Sequence, residues 1–413
     1  MNTWFPVAQD SDFSIYNLPF GIFSLNGDAP GAGIAIGDSI IDLRALAALD
    51  EGPFSHLGID NNVFAKPTLN EFISLGKATT NALRLAVQEM LCDSSSVLKQ
   101  NEHVFVKQSE AIMHMPVAIG DYTDFYASID HATNVGKMFR DPENALLPNW
   151  KHIPVGYHGR ASSIVLSGTD LKRPKGQTIP PNGSQPVFGP SARVDFELEM
   201  AMVIGKENGL GNAVSTKEAA EYIFGFVMFN DWSARDIQKW EYVPLGPFLA
   251  KNFGSNISPW IVTTEALAPF TTPGPIQEPA VLPYLEIEGD QNYDVNLNVY
   301  IQPDNGEENL VSQSNFKYMY WSAQQMVAHH TVNGCNLKVG DMMASGTISG
   351  PEPNQFGSML ELAWAGKNPV KLSDGSERKF INDNDTVIMR GYAEKDGQRV
   401  GFGEVSCRIL PAS

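Results

Sequence analysis

Residues 194–205 read Val-Asp-Phe-Glu-Leu-Glu-Met-Ala-Met-Val-Ile-Gly, and carboxylate and apolar side chains alternate through the first half of the run. Successive side chains of a β-strand point to opposite faces, so this pattern predicts a half-buried strand. Phe196, Leu198 and Met200 then enter a core. Asp195, Glu197 and Glu199 share the other face, about 7 Å apart at each step of two residues. Ionised carboxylates in such a row repel each other, more strongly if walled off from water. A bound cation relieves the repulsion, and oxygen-only ligands suit calcium or magnesium. An exposed sheet face that is merely acidic is the competing reading, and acids elsewhere must decide between the two.

Length and charge narrow the setting. A chain of 413 residues is too long for one hydrophobic core, so two or more domains are expected. Its 36 glycines and 27 prolines imply many turns, hence a mainly β or α+β architecture. No run approaches the ~18 consecutive apolar residues of a membrane-spanning helix. The first residues lack a basic segment followed by an apolar run, so no signal peptide is expected. Cys92, Cys335 and Cys407 are widely spaced and form neither a disulfide framework nor a zinc pattern, which fits a reducing, cytoplasmic setting. A net charge of -18 argues against nucleic acid and anionic membranes as partners. An anionic substrate would need a local positive site against that field.

Residues 1–115 are expected to form a separate N-terminal unit. Short apolar runs lie between Gly, Asn and Asp, a hairpin is predicted at Gly37-Asp38, and apolar residues recur at helical spacing over 70–92. This reads as a small β barrel with helices and no cluster of chemistry-bearing residues. A change of composition at His114-Met115-Pro116 opens a second unit, 116–413. There, Asp124, Tyr126, His131 and Arg140 offer a metal ligand, a hydroxyl, a base and an anion binder. Each also has a plain role available: Asp124 a turn, His131 a satisfied core position, Arg140 a surface ion pair.

Further along, residues 174–190 predict a long loop, and 224–230 a buried strand ending at Asp231, where a helix N-cap is an alternative role. Arg235, Gln238 and Tyr242 fall on one face of the following helix, facing a ligand or a partner. Lys251 follows an apolar run, an odd place for a solvated lysine and a reasonable one for a site lysine. A hairpin is expected over 285–301 around Gly289-Asp290, and His329-His330 are read as structural, since adjacent helical residues point about 100° apart. Residues 340–351 run from a strand into a loop rich in Gly and hydroxyls, able to offer N–H groups to a carboxylate. Glu361 is the lone carboxylate of the apolar stretch 356–364, read as a strand, and needs a partner.

These blocks resemble the fumarylacetoacetate hydrolase family. The resemblance runs through 121–126, 131–136, 138–140, 143–150, 154–163, 197–201, 230–248 and 345–362, and Asn-Asp-Trp-Ser-Ala-Arg-Asp-Ile-Gln from Asn230 is its longest signature. It implies an N-terminal SH3-like barrel, a larger mixed β-sandwich roll, and a homodimer formed through the large domain. It implies Asp124, Glu197, Glu199 and Asp231 as ligands of calcium or magnesium, with Lys251 and Ser255 associated with a second magnesium; many relatives have Thr at the latter position. Asp195 matches no ligand and is expected to be a bystander at the edge of the strand.

The reaction implied is hydrolysis of a carbon–carbon bond in a dianionic β-diketone, 4-fumarylacetoacetate, giving fumarate and acetoacetate at the end of tyrosine and phenylalanine catabolism. His131 matches the general base and Glu361 the acid that orients it. Arg235, Gln238 and Lys251 match donors to the oxyanion, and the metal would hold the leaving enolate as a Lewis acid. Tyr126, Arg140, Tyr157, Gln238, Tyr242 and Thr347 match substrate contacts. Arg140, Arg235, Lys251 and the cation would then make the positive pocket that the net charge demands. Asp130, just before the histidine, either raises the pKa of His131 or meets only solvent. Two other readings stand beside this one. The first is an acylpyruvate hydrolase, decarboxylase or hydratase on the same scaffold. The second is a non-enzymatic, calcium-stabilised binding protein, which leaves His131, Glu361 and Lys251 unexplained.

Overall fold

The computed structural model describes residues 1–49, 54–180 and 183–413, and among these three sheets of five or more strands carry the architecture. The first is antiparallel and barrel-like, built from Phe20–Ser24, Gly31–Ile36, Ser39–Asp42, Phe105–Lys107 and Ile112–His114. Its predicted hairpin turns at Gly37, whose φ of +56° suits glycine. The helix Lys77–Cys92 follows the short helix Asn70–Ile73 and packs its buried Leu83, Val87 and Leu91 on this unit, four residues apart along one face.

The second sheet has eight strands, with Leu198–Ile204 and Ile223–Asp231 at its centre. The period-two pattern of the sequence holds, but both faces are buried. Phe196, Leu198, Met200, Met202 and Ile204 enter the core shared with the third sheet, as expected. Ala201 and Val203, on the opposite face, lie in the core shared with the N-terminal unit. Glu197 and Glu199 have the parity of Ala201 and Val203, so they extend the covered face and are themselves buried. A one-residue slip would drive both carboxylates into the apolar core. Each large apolar side chain contributes about 1.5–3 kcal/mol by burial, so the register is strongly held. The exposed acidic face considered above is thereby excluded. The mainly β, α+β class expected from composition is the one observed.

Three local expectations fail. The loop 174–190 contains an antiparallel pair, Lys175–Thr178 with Val187–Pro190; residues 181–182 of that expectation lie outside the described ones. No hairpin forms over 285–301. Pro283–Leu285 is a 3-10 turn and Asn292–Tyr293 pairs with Thr271–Thr272. The strand Asn296–Gln302 pairs instead with Asn309–Asn315 and Thr386–Lys395, which bury Leu297, Val299 and Ile301 in the third sheet as a local hairpin could not. Finally, Glu361 stands in the short helix Met359–Leu362 rather than in a strand. Ser358 caps that helix, its Oγ accepting from Glu361 N at 3.3 Å.

Candidate active site

The helix Ile129–Phe139 starts at Ser128, whose hydroxyl accepts from His131 N and donates to Ser349 O at 3.0 Å. This places His131, 3% exposed, against the loop that follows the strand Met342–Ala344. Its Nδ1 lies 2.7 Å from Glu361 Oε2. Ser349 and Ser358 each donate to the same oxygen at 2.9 Å, and Asn134 Nδ2 donates to Oε1 at 3.0 Å. Burial alone would raise the Glu361 carboxyl, but the His131 ring beside it and these hydrogen bonds hold it below the usual range. An ionised Glu361 accepts the Nδ1 proton, which leaves Nε2 of the neutral imidazole free as a base. The Tyr126 ring meets the imidazole edge to face at 5.2 Å.

Neither serine nor Asn134 was singled out in the sequence. Asn134 lies three residues after His131 on one helix, and Ser358 three before Glu361, so helical spacing was the signal available for both.

A second cluster gathers across the central sheet, in which Met342–Ala344 lies between the strands of Asp124 and Glu199 and the latter pairs with the strand of Asp231. Asp124 comes from Tyr122–Phe125, Glu199 from Leu198–Ile204 and Asp231 from Ile223–Asp231, and oxygens of all three lie within 4.8 Å of one another. Asp231 is thus a buried strand residue and not an N-cap; the next helix starts at Arg235 behind Ala234. Asp124 Oδ1 and Glu199 Oε1 are buried without a hydrogen-bond partner. Desolvation, then the neighbouring acids, push both carboxyls well above the usual range. Burial also raises Asp231, against the pull of Lys251. Orphaned carboxylate oxygens cost about 1–3 kcal/mol each, and more when charged. Oxygen donors at this spacing fit a hard divalent cation of the calcium or magnesium type.

Glu197, the fourth expected ligand, is held differently. Lys251 Nζ contacts both Glu197 and Asp231, the latter at 2.7 Å, and Arg235 reaches Glu197 Oε1 at 2.7 Å. Burial would raise Glu197, but Arg235 and Lys251 lower it to about 2. Lys251, buried among acids, is raised despite its desolvation and stays an ammonium, with donors and no lone pair to give a metal. Ser255 Oγ donates to Asp231 Oδ1 at 2.9 Å, and Tyr157 to Oδ2 at 3.3 Å.

Asp195 is no bystander. Fully buried, it accepts from Arg235 Nε at 2.8 Å and from the backbone N–H groups of Met359 and Leu360 at 2.7 and 3.0 Å. In sequence its apolar neighbours hide how many donors converge on it from distant segments. Asp124, Asp195, Glu197, Glu199 and Asp231 therefore face only Arg235 and Lys251 as buried cations in this cluster. The expected positive pocket thus depends on the ion, since the five acids, once ionised, outnumber the two cations.

The remaining expected contacts divide by depth. Thr347 is buried in the loop beside the base, Tyr126 and Tyr157 are partly buried, and Gln238 Oε1 accepts from Arg235 Nη1 at 3.3 Å. Arg140 is exposed and donates from Nε and Nη2 to Ala145 O at 3.0 and 2.7 Å. Tyr242, at the end of the helix Arg235–Glu241, is 51% exposed. Both lie outside the buried cluster. Asp130 is partly buried, its carboxyl raised by desolvation and by Glu361.

Residues 121–409 match the family described as Fumarylacetoacetate (FAA) hydrolase C-terminal, and residues 16–116 match Fumarylacetoacetase N-terminal. The fumarylacetoacetase of Homo sapiens is 52% identical over 416 residues, covering 99% of each chain. That of Caenorhabditis elegans is 52% identical over 420 residues, covering 100% of each. That of Arabidopsis thaliana is 47% identical over 419 residues, covering 100% of this chain and 99% of its own. Among solved structures, the fumarylacetoacetate hydrolase of Exiguobacterium antarcticum superposes with a TM-score of 0.54 at 17% identity, covering 95% of this chain and 99% of its own. At that identity the likeness speaks for the fold alone.

Proposed function

The chain belongs to the fumarylacetoacetase family, and from that premise we propose how its own residues carry out the reaction. The protein is a hydrolase that converts 4-fumarylacetoacetate to fumarate and acetoacetate, the last step of tyrosine and phenylalanine catabolism. His131 Nε2 takes a proton from water while Glu361 holds the ring and its developing charge. The water oxygen adds to the ketone carbon of the fumaryl group, which becomes a carboxylate of fumarate, and Arg235, Gln238 and Lys251 donate to the resulting oxyanion. Collapse of that adduct breaks the carbon–carbon bond. The electron pair leaves with the acetoacetate enolate, which is reprotonated from the imidazolium. A divalent cation, when bound, would supply Lewis-acid stabilisation of negative charge developing on the substrate.

Asp124, Glu199 and Asp231 would hold that cation, calcium or magnesium, with Glu197 joining them, and Lys251 and Ser255 would stand beside a second magnesium. Tyr126, Arg140, Tyr157, Tyr242 and Thr347 contact the dianionic substrate. The same reading divides the chain at 115/116 into an N-terminal barrel and a catalytic domain, pairs two chains through the larger domain, and sets the enzyme in the cytoplasm. No helix among the described residues is long and apolar enough to cross a membrane. The observation that carries the mechanism is the conjunction of a base already paired to a saturated carboxylate with orphaned buried acids. The test is turnover of 4-fumarylacetoacetate, with fumarate and acetoacetate formed one to one, against acylpyruvates under the same conditions. Equal or better kcat/KM on an acylpyruvate would overturn the named substrate.

A further inference from the structure

Asp195 stands between the two halves of the site and touches neither the expected metal ligands' free oxygens nor the base. Its contacts connect them. One oxygen accepts from Met359 N at 2.7 Å; the other accepts from Leu360 N at 3.0 Å and from Arg235 Nε at 2.8 Å. Met359 and Leu360 open the four-residue helix that carries Glu361. That helix is also tied through Glu361 to His131, Asn134 and Ser349 and through buried Met359 to the core, but the N–H groups of its first two residues are met by Asp195. Leu198 N donates to Gly357 O at 2.9 Å, and Glu197 and Ser358 form an isolated β-bridge just before it. Such a short helix cannot hold its own place, since most of its backbone groups lie in its end turns.

We propose that Asp195 is a positioning residue, one buried carboxylate that sets both the guanidinium of Arg235 and the helix presenting Glu361, and so fixes the oxyanion donors relative to the base. This rests on the roles given above to Arg235 and Glu361. The carboxylate is suited to the task because one planar group accepts three donors from two segments, giving each a fixed direction. Its strand position explains why the anchor is here. Asp195 pairs with Ser233 across the short strands Val194–Asp195 and Ser233–Ala234, which lead directly into Arg235. A misplacement of about 1 Å at a reacting group can cost on the order of 100-fold in rate, so a residue away from the substrate can control the chemical step.

The experiment is Asp195→Asn in the metal-loaded enzyme, with Arg235→Gln and Glu361→Gln alongside. The amide keeps the shape but offers one acceptor oxygen in place of two and no charge for Arg235. The expected result is a fall in kcat of about 100-fold with KM changed less than about three-fold, and divalent-ion affinity retained. A second readout is spectroscopic: the deshielded proton of the His131–Glu361 hydrogen bond shifts or broadens in Asp195→Asn, although Asp195 touches neither residue. If Asp195→Asn does not fold, Asp195→Ser is read in the same way. Unchanged kcat and an unmoved proton resonance in Asp195→Asn, with large losses in the other two variants, would overturn the proposal alone. Full rate in Arg235→Gln and Glu361→Gln would overturn the reading beneath it, and the proposal with it.

Discussion

His131 Nδ1 and Glu361 Oε2 meet at 2.7 Å across 230 positions of sequence, and three further side chains donate to the same carboxylate. The pairing depends on two local helix starts, capped by Ser128 and Ser358, facing each other across the loop at Ser349. Glu361→Gln keeps the size but removes the charge that orients the imidazole and stabilises its protonated form. Turnover is expected to fall by about 10²–10⁴, with KM little changed, in steady-state kinetics on 4-fumarylacetoacetate. A small loss would mean that the ring is oriented by something else.

Glu199 has one oxygen accepting from Gly346 N at 3.0 Å and the other without a partner. Glu199→Gln is expected to weaken divalent-ion binding, read by calorimetric titration, and to lower activity in parallel. Loss of a supporting neighbour of a metal ligand typically costs about 10–100-fold in affinity, so removing a ligand's charge should cost at least as much. Unchanged ion affinity would take Glu199 out of the ligand set.

Gly346 has a φ of +74°, and a Cβ there would lie 2.2 Å from Phe125 O. A left-handed non-glycine residue alone costs about 1–3 kcal/mol, and this contact adds a backbone collision. Gly346→Ala should therefore lower the thermal midpoint and loosen the N–H bond to Glu199, weakening ion binding as well. Wild-type stability with wild-type ion affinity would show that the loop adjusts freely.

The acid cluster predicts a linked dependence on pH and metal. Burial and mutual repulsion raise the carboxyls of Asp124 and Glu199 in the folded, ion-free protein. A raised carboxyl binds its proton more tightly folded than unfolded, so this contribution to stability grows as pH falls. The cation needs the ionised forms, so its own stabilisation weakens over the same range. Chelation should thus lower the thermal midpoint most at about pH 8, and the gap between chelated and loaded protein should narrow towards about pH 6. Midpoints measured both ways across that range decide the matter, and a gap that widens on acidification would contradict the shared site.

Much of this was legible in the chain because periodicity and burial agree. The alternation in 194–205 located the central strand Leu198–Ile204, though Val194–Asp195 breaks off to pair with Ser233–Ala234, and the parity of Phe196, Leu198 and Met200 named its core face. What the pattern could not show was that the opposite face is covered too, since that depends on an N-terminal unit remote in sequence. The sequence marks Glu361 as a carboxylate in need of a partner, but its segment is a helix and not the strand expected. A four-residue helix has no period to detect, and its cap at Ser358 is the one local sign. The role of Asp195 is invisible in the sequence because its donors, Arg235, Met359 and Leu360, come together only in three dimensions. The strand thus supplies acids to the expected ion site and an anchor for the base.

The most direct test of the whole account is His131→Ala, assayed for turnover and for divalent-ion and product binding in the same preparation. The two clusters are built from different side chains, so removing the imidazole should eliminate hydrolysis, by about 10³-fold or more, while ion and fumarate binding persist. A substantial residual rate would move the base to another residue, and loss of ion binding together with turnover would contradict the division of the site into a base and an acid half.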